Sequence, residues 1–198
     1  MRSKKRETKR IKRNRMMIGA LTIFVMLGGG LGIFASNIGT SENSMPYNDF
    51  MFELTERGWR TNINNERLYF LNHPLEVEYI NINQETINLI KNSERLLLSF
   101  NPNSIYSDSI SSSQFYLSEN LRTMGYSIGQ GFNVETEFEI PIINCSQADK
   151  ENIVIIYQES DNLFIEREGY CIIANSNLDD GFNRISSRIL FGLFEIIN

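Results

Sequence analysis

The sequence predicts one α/β domain, of the α+β kind, behind a single N-terminal transmembrane helix. Three observations predict it. Residues 16–35 carry no charge and follow a strongly basic N-terminus. Beyond them, short apolar runs alternate with Gly, Asn and Pro turn signals, and one strand–helix–strand stretch has the spacing of a βαβ crossover. The chain closes on a segment whose apolar residues recur at helical spacing. Together they predict a mixed β-sheet with an N-terminal β-meander, a βαβ unit and a C-terminal amphipathic helix.

Nine of the 19 Lys and Arg residues lie in residues 1–15, with one Glu among them. The next segment, 16–35, reads MMIGALTIFVMLGGGLGIFA. About 20 uncharged, mostly apolar residues suffice to cross a bilayer's hydrocarbon core. The run is longer than the core of a cleaved signal peptide, and bulky Ile33 before Phe34-Ala35 makes a poor cleavage site, so the reading is an uncleaved signal anchor. The basic flank keeps the N-terminus in the cytoplasm and sends the rest outside, a type II single-pass topology at the cell membrane. No Cys follows the apolar run to suggest a lipoprotein. Gly28-x-x-x-Gly32 in the span is a pattern that can pack two helices, but it leaves the oligomeric state unknown.

Residues 36–198 then hold ten basic and 23 acidic residues, a balance that argues against nucleic acid or another polyanion as the outer partner. The bilayer itself is the one partner the basic tail implies, through anionic lipid. Residues 36–48, SNIGTSENSMPYN, are small and polar and read as a linker; residues 49–198 are the extracytoplasmic domain.

Within the domain, 49–54, 59–63 and 67–71 read as a three-strand meander turned at Arg57-Gly58 and Asn64-Asn65. Glu76 to Ile82 reads as a fourth strand, and Glu85 to Lys91 as a short helix with Ile87 and Ile90 inward. Leu96–Phe100 is a continuous apolar run, as in a strand buried on both faces. A helix from Ser104 to Gly125 carries Tyr106, Ile110, Leu117, Leu121 and Met124 near one stripe, and a strand follows. Residues 140–144, 152–157, 163–165 and 170–174 read as further strands. Asn177 is the expected N-cap of the last helix, with Leu178, Phe182, Ile185, Ile189, Leu193 and Ile196 on its stripe.

Gly125-Tyr126-Ser127-Ile128-Gly129 matches G-x-S-x-G, the pattern of a hydrolase nucleophile elbow. An elbow needs a strand before the Ser and a helix after it, and here the order is reversed. Gly125 reads instead as the glycine that closes the preceding helix, and Ser127, Gly129 and Gly131 as the small face of a strand that lets something pack closely or marks a bulge. The single His, His73, precedes Ser127 and stands before a Pro, where a solvated turn or local hydrogen bond is its expected role. One His and two distant Cys match no zinc spacing. Asn175–Gly181 resembles the start of a calcium loop, but its Gly is one place late and Ser186 stands where the bidentate Glu belongs; a helix cap explains the same residues. No phosphate loop or dinucleotide fingerprint is present, so no metal or cofactor is expected. Asn144-Cys145-Ser146 is a glycosylation sequon that competes with burial beside Cys145.

Cys145 and Cys171 both fall in the exported part. An oxidising compartment and an even count favour a disulfide; two reduced, buried thiols are the other reading.

Gly58-Trp59, Phe70-Leu71-Asn72-His73-Pro74, Phe100-Asn101-Pro102, Ile143–Ser146, Gly169–Ile173 and the closing RILFGLFEII give the chain a layout. That layout resembles a group of uncharacterised, single-pass, membrane-anchored extracytoplasmic proteins of small-genome archaea. The resemblance covers most of the ectodomain. It implies a basic tail, one span, an exported α/β domain and a paired Cys, and it carries over no catalytic residue. The functional expectation is a cell-envelope protein that binds or scaffolds a partner without catalysis. The alternative is an extracytoplasmic hydrolase using Ser127 or a carboxylate pair.

Overall fold

The computed structural model describes residues 43–197. The basic tail 1–15, the span 16–35 with Gly28 and Gly32, and linker residues 36–42 lie outside the described residues. Among the described residues no helix is long and apolar enough to cross a membrane.

The described chain is a mixed α+β fold of two sheets and three helices. The first sheet is an antiparallel meander in the order β1 (Ser44–Tyr47), β2 (Phe50–Thr55), β3 (Gly58–Ile63), β4 (Glu66–Phe70). Its turns are made by residues suited to left-handed backbone. Asn64 and Asn65 have φ of 51° and 69°, the pair of positive values a tight two-residue hairpin needs. The meander forms a sheet of its own, and it has four strands where three were expected from 49–71. The extra strand is Ser44–Tyr47, inside the stretch read as linker; it runs along the outer edge of β2, where Pro46 is tolerated.

The expected strand at 76–82 is not formed. Pro74 opens a 3-10 turn (Pro74–Glu76) instead, because its ring fixes a helical φ and His73 caps the turn: His73 Nδ1 accepts the Leu75 N–H at 3.3 Å, and Glu76 accepts the His73 N–H at 3.2 Å. Helix α1 (Gln84–Lys91) follows, capped by Asn83, with Ile87 and Ile90 buried as expected.

The second sheet has the order β6-β5-β7-β9-β8, with β5 (Arg95–Phe100), β6 (Ser127–Phe132), β7 (Asn152–Glu159), β8 (Phe164–Glu168) and β9 (Cys171–Ser176). β6, β5, β7 and β9 are parallel and β8 is antiparallel to β9. Strand β5, helix α2 (Ser107–Thr123) and β6 are the expected βαβ unit. The chain then reverses direction, crossing from β6 back over β5 to reach β7. A right-handed connection running the opposite way must lie on the opposite face. Accordingly the 133–151 crossover covers one face of the sheet while α2 and α3 (Gly181–Leu193) cover the other.

The alternation along the central strands separates these two cores. Leu96, Leu98 and Phe100 of β5, and Ile153, Ile155 and Tyr157 of β7, join the helix-side core. Leu97, Val154, Ile156 and Cys171 join Ile143 in a smaller cluster under the crossover. Residues 140–144 are not a strand of the sheet: one parallel bridge, Phe132 to Ile142, is all the pairing they make among the described residues.

Helix α3 departs from the amphipathic expectation. Phe182, Ile185, Ile189, Leu193 and the following Ile196 are buried, but so are Ser186, Ser187, Arg188, Leu190 and Phe191 on its other sides. The reason is the meander. Phe191 meets Phe70 at 4.6 Å and Phe52 at 6.0 Å between ring centroids, so α3 lies between two sheets. Where α2 and α3 cross, small side chains allow close approach and bond together. Ser113 Oγ donates to the Phe182 carbonyl at 2.6 Å, and Ser186 Oγ lies 2.7 Å from Ser113 Oγ and 2.6 Å from the Tyr157 hydroxyl. The N-cap is also shifted. Asp180, not Asn177, precedes the helix; Asn177 donates to the Asp161 carbonyl, and Leu178 is 47% exposed instead of on the core stripe.

Candidate functional site

The G-x-S-x-G stretch folds as a helix stop. Gly125 has φ +93°, and the Gly125 and Tyr126 N–H groups donate to the Arg122 and Leu121 carbonyls at 3.0 and 3.1 Å. Those are the two bonds of a Schellman cap. Ser127 is exposed at the amino end of β6, and among the described residues its hydroxyl has no hydrogen-bonded base. His73 stands elsewhere, only 1% exposed, with its ring 4.6 Å from Trp59, 5.1 Å from Phe52 and 6.2 Å from Tyr47. The local hydrogen bond expected of His73 is present, but the solvated setting is not. Its Nε2 is buried toward the Met45 backbone without reaching full hydrogen-bond geometry. Burial therefore holds the imidazole below its ordinary pKa, against the opposing pull of Met45, Glu76 and Glu78.

Cys145 and Cys171 form a disulfide, with Cα atoms 5.3 Å apart. Cys145 opens a 3-10 turn (Cys145–Gln147) in the crossover and is not a strand neighbour of β9. The bridge therefore pins the crossover against the face turned away from the helices. Asn144, the sequon residue, is half-buried; its Oδ1 accepts from Ser146 N–H at 3.0 Å and Ser146 Oγ–H at 2.6 Å. Among the described residues no group of three or more His, Cys, Asp or Glu is placed to hold a metal ion. The Asn175–Gly181 loop spends its side chains on protein: Asp179 accepts from Ser109 at 3.0 Å and Asp180 pairs with Arg184.

In open α/β sheets, ligands meet the carboxyl ends of parallel strands. Here the crevice between β5 and β7, whose connections leave in opposite directions, is bridged. Ser104 donates to Glu159 at 3.1 Å and the Tyr106 hydroxyl to the Asn177 carbonyl at 2.8 Å. The neighbouring crevice, at the carboxyl ends of β5 and β6, stays open. It is a groove of about 560 Å³, within the range of ligand and side-chain sites. Phe100 and Phe132 form its floor, Phe115 of α2 one wall, and Ile140-Pro141 of the crossover the other. Ser111, Gln114 and Gln130 supply polar atoms. Gln114 is buried, and its amide is fixed by donation to the Ser99 carbonyl at 2.9 Å. Phe115 is 64% exposed, so its ring stands open on the groove wall.

Gly131 explains why the crossover can close this end. A Cβ there would lie 2.2 Å from the Pro141 carbonyl oxygen and 2.8 Å from Ile143 Cδ1. The small face of β6 thus admits the crossover, whose Pro141 carbonyl accepts the Phe132 N–H at 3.0 Å. Residues 96–149 hold one basic residue, Arg122, paired to Glu119 at 2.7 Å. Against it stand Asp108, Glu119, Glu135, Glu137, Glu139 and Asp149, and Glu135, Glu137 and Glu139 are exposed on the crossover leading to Ile140.

Sequence reasoning had singled out Ser127, His73, Cys145 and Cys171, and the fold joins only the two cysteines. It missed the groove, which assembles residues from four separated segments; exposed Phe115 and the alternation of glutamates from 135 to 139 were its only traces. Comparison with family models, with curated proteins and with solved structures gives no match.

Proposed function

We propose that this chain is a cell-envelope protein, anchored by residues 16–35, whose extracytoplasmic domain binds a partner at the β5–β6 groove. The observation that carries the reading is the groove itself: apolar floor and walls, a few polar atoms, and exposed glutamates on the chain segment that leads into Ile140. Such a lining suits binding by burial and charge. The charge split between residues 1–15 and the rest supports the orientation, because a basic flank is retained in the cytoplasm. A disulfide in the domain accords with an oxidising compartment.

Two measurements test this, the first on intact cells and the second on the purified full chain. Protease added outside should digest the domain and spare the basic tail; protection of residues 43–197 would overturn the orientation. Phe115→Asp should abolish partner binding by the full chain while leaving its circular dichroism unchanged. Retention of a partner by that variant would remove the groove from the account.

A further inference from the structure

β-Sheet edges invite pairing, and proteins guard them with charge, proline or cover. Among the described residues, three of the four edge strands are guarded: β1 by Pro46, β4 by Glu66 and Arg67, and β8 by Glu166, Arg167 and Glu168. The fourth, β6, reads SIGQGF, without charge or proline.

The free side of β6 can be read from its hydrogen bonds. Phe132 donates its N–H to the Pro141 carbonyl and accepts the Ile143 N–H at 2.7 Å, so both of its backbone groups point away from β5. Backbone direction alternates along a strand, so Ile128 and Gln130 also turn their N–H and C=O outward. Only the Phe132 end is covered by the crossover among the described residues. An unpaired, uncharged edge therefore runs into an apolar groove, and Gln130 belongs to both.

We infer that β6 takes up an extended segment of a partner protein as an added strand, with an aromatic or large aliphatic side chain of that segment seated against Phe115 and Phe132 and with basic residues beside it. Strand addition supplies main-chain bonds, while the groove reads alternate side chains. The basic character follows from charge complementarity. Glu135, Glu137 and Glu139 are exposed and make no ion pair among the described residues; Arg122 is paired to Glu119, and the Arg95 guanidinium lies over Gly129, on the opposite face of β6 from Gln130 and Phe132. A second copy of this acidic domain fits the edge poorly, since it would bring the same carboxylates together. The inference rests on the groove being a binding site.

The test uses the full chain in detergent micelles and a fluorescent synthetic decapeptide alternating arginine with valine and phenylalanine. Saturable binding that weakens as salt rises is expected. Methylating alternate backbone amides of the peptide keeps its charge and side chains but removes strand donors; binding should fall at least about tenfold. Gln130→Pro, which removes an outward N–H that β5 does not use, should do the same. Replacing the peptide's arginines with glutamate should abolish binding. Glu135→Gln, Glu137→Gln and Glu139→Gln together should remove most of the salt dependence. Equal affinity for the methylated and parent peptides would overturn strand addition, whether or not Gln130→Pro folds. No saturable binding of the parent peptide would overturn the inference as a whole. A natural partner whose affinity is lost with Phe115→Asp but unchanged with Gln130→Pro would leave the groove reading intact and sink only the added strand.

Discussion

Cys145 is bonded to Cys171 on the face of the mixed sheet turned away from α2 and α3, and the bond ties the 133–151 crossover to β9. The two residues are 26 apart in sequence, and the bridge closes a loop holding β7 and β8. In the chain-entropy account a loop of this size stabilises the fold by about 3–4 kcal/mol. Cys145→Ser with Cys171→Ser should therefore lower the free energy of unfolding by about that amount in denaturant titration. An unchanged midpoint would show that the small cluster of Leu97, Ile143, Val154 and Ile156 holds the crossover without the bridge.

Gly131 offers a second test of the same packing. Gly131→Ala places a Cβ against the Pro141 carbonyl, a backbone atom that cannot rotate away. Overpacking of this kind costs about 1–3 kcal/mol. Faster proteolysis between Asn133 and Gln147 should accompany the loss. Gly125→Ala meets no atom within 4 Å, so any cost there comes from its φ of +93° alone. Equal proteolysis of the crossover in both variants would refute the close-approach reading.

Much of the fold was legible because local signals agreed with the final structure. Leu96–Phe100, the Ile110–Leu117–Leu121 stripe and Gly125 predicted the βαβ unit, and each is where it was expected. The misreadings share a cause. Ser44–Tyr47 is polar and contains Pro46, so only its pairing with β2 makes it a strand. Residues 140–144 look strand-like, yet only Ile143 is buried against the sheet face, while Ile140 and Ile142 stay exposed. α3 shows a single stripe in sequence, and the covering of its other sides by the meander is a tertiary event. The groove was invisible for the same reason: Phe115, Gln130 and Ile140 meet only after the crossover folds back.

His73 predicts a pH dependence. Its ring is buried among aromatic side chains and its pKa is lowered by burial, so the unfolded chain binds the proton more tightly. Its contribution is complete above the ordinary His value of about 6.5 and is lost as pH falls through that value toward the lower folded one. The thermal midpoint should drop across that window. The drop should shrink in His73→Leu, measured beside the unchanged carboxylates Glu76 and Glu78. A midpoint independent of pH from 7 to 5 would contradict a buried neutral imidazole.

Tyr157 lies fully buried, with its hydroxyl 2.6 Å from Ser186. Tyr157→Phe removes one bond but leaves Ser186 bonded to Ser113, so the expected cost is about 0.5–1.5 kcal/mol. Ser186→Ala removes the bonds to both Tyr157 and Ser113 and leaves the phenol only the Ser113 hydroxyl beside it, so it should cost more, about 1–3 kcal/mol. The order of the two unfolding free energies checks the network; the reverse order would mean that the phenol finds another partner.

Occupation of the β6 groove by a basic, extended segment is tested most directly by photocrosslinking in the protein's own cells. A benzophenone amino acid at Phe115 of the full chain would be irradiated and its adduct mapped by mass spectrometry, with the same label at exposed Leu54 of the meander as reference. The predicted result is one discrete adduct at Phe115, on a partner segment of alternating apolar and Lys or Arg residues, lost when Glu135, Glu137 and Glu139 become Gln. A discrete adduct at Leu54 with none at Phe115, or an adduct segment rich in Asp and Glu, would contradict it.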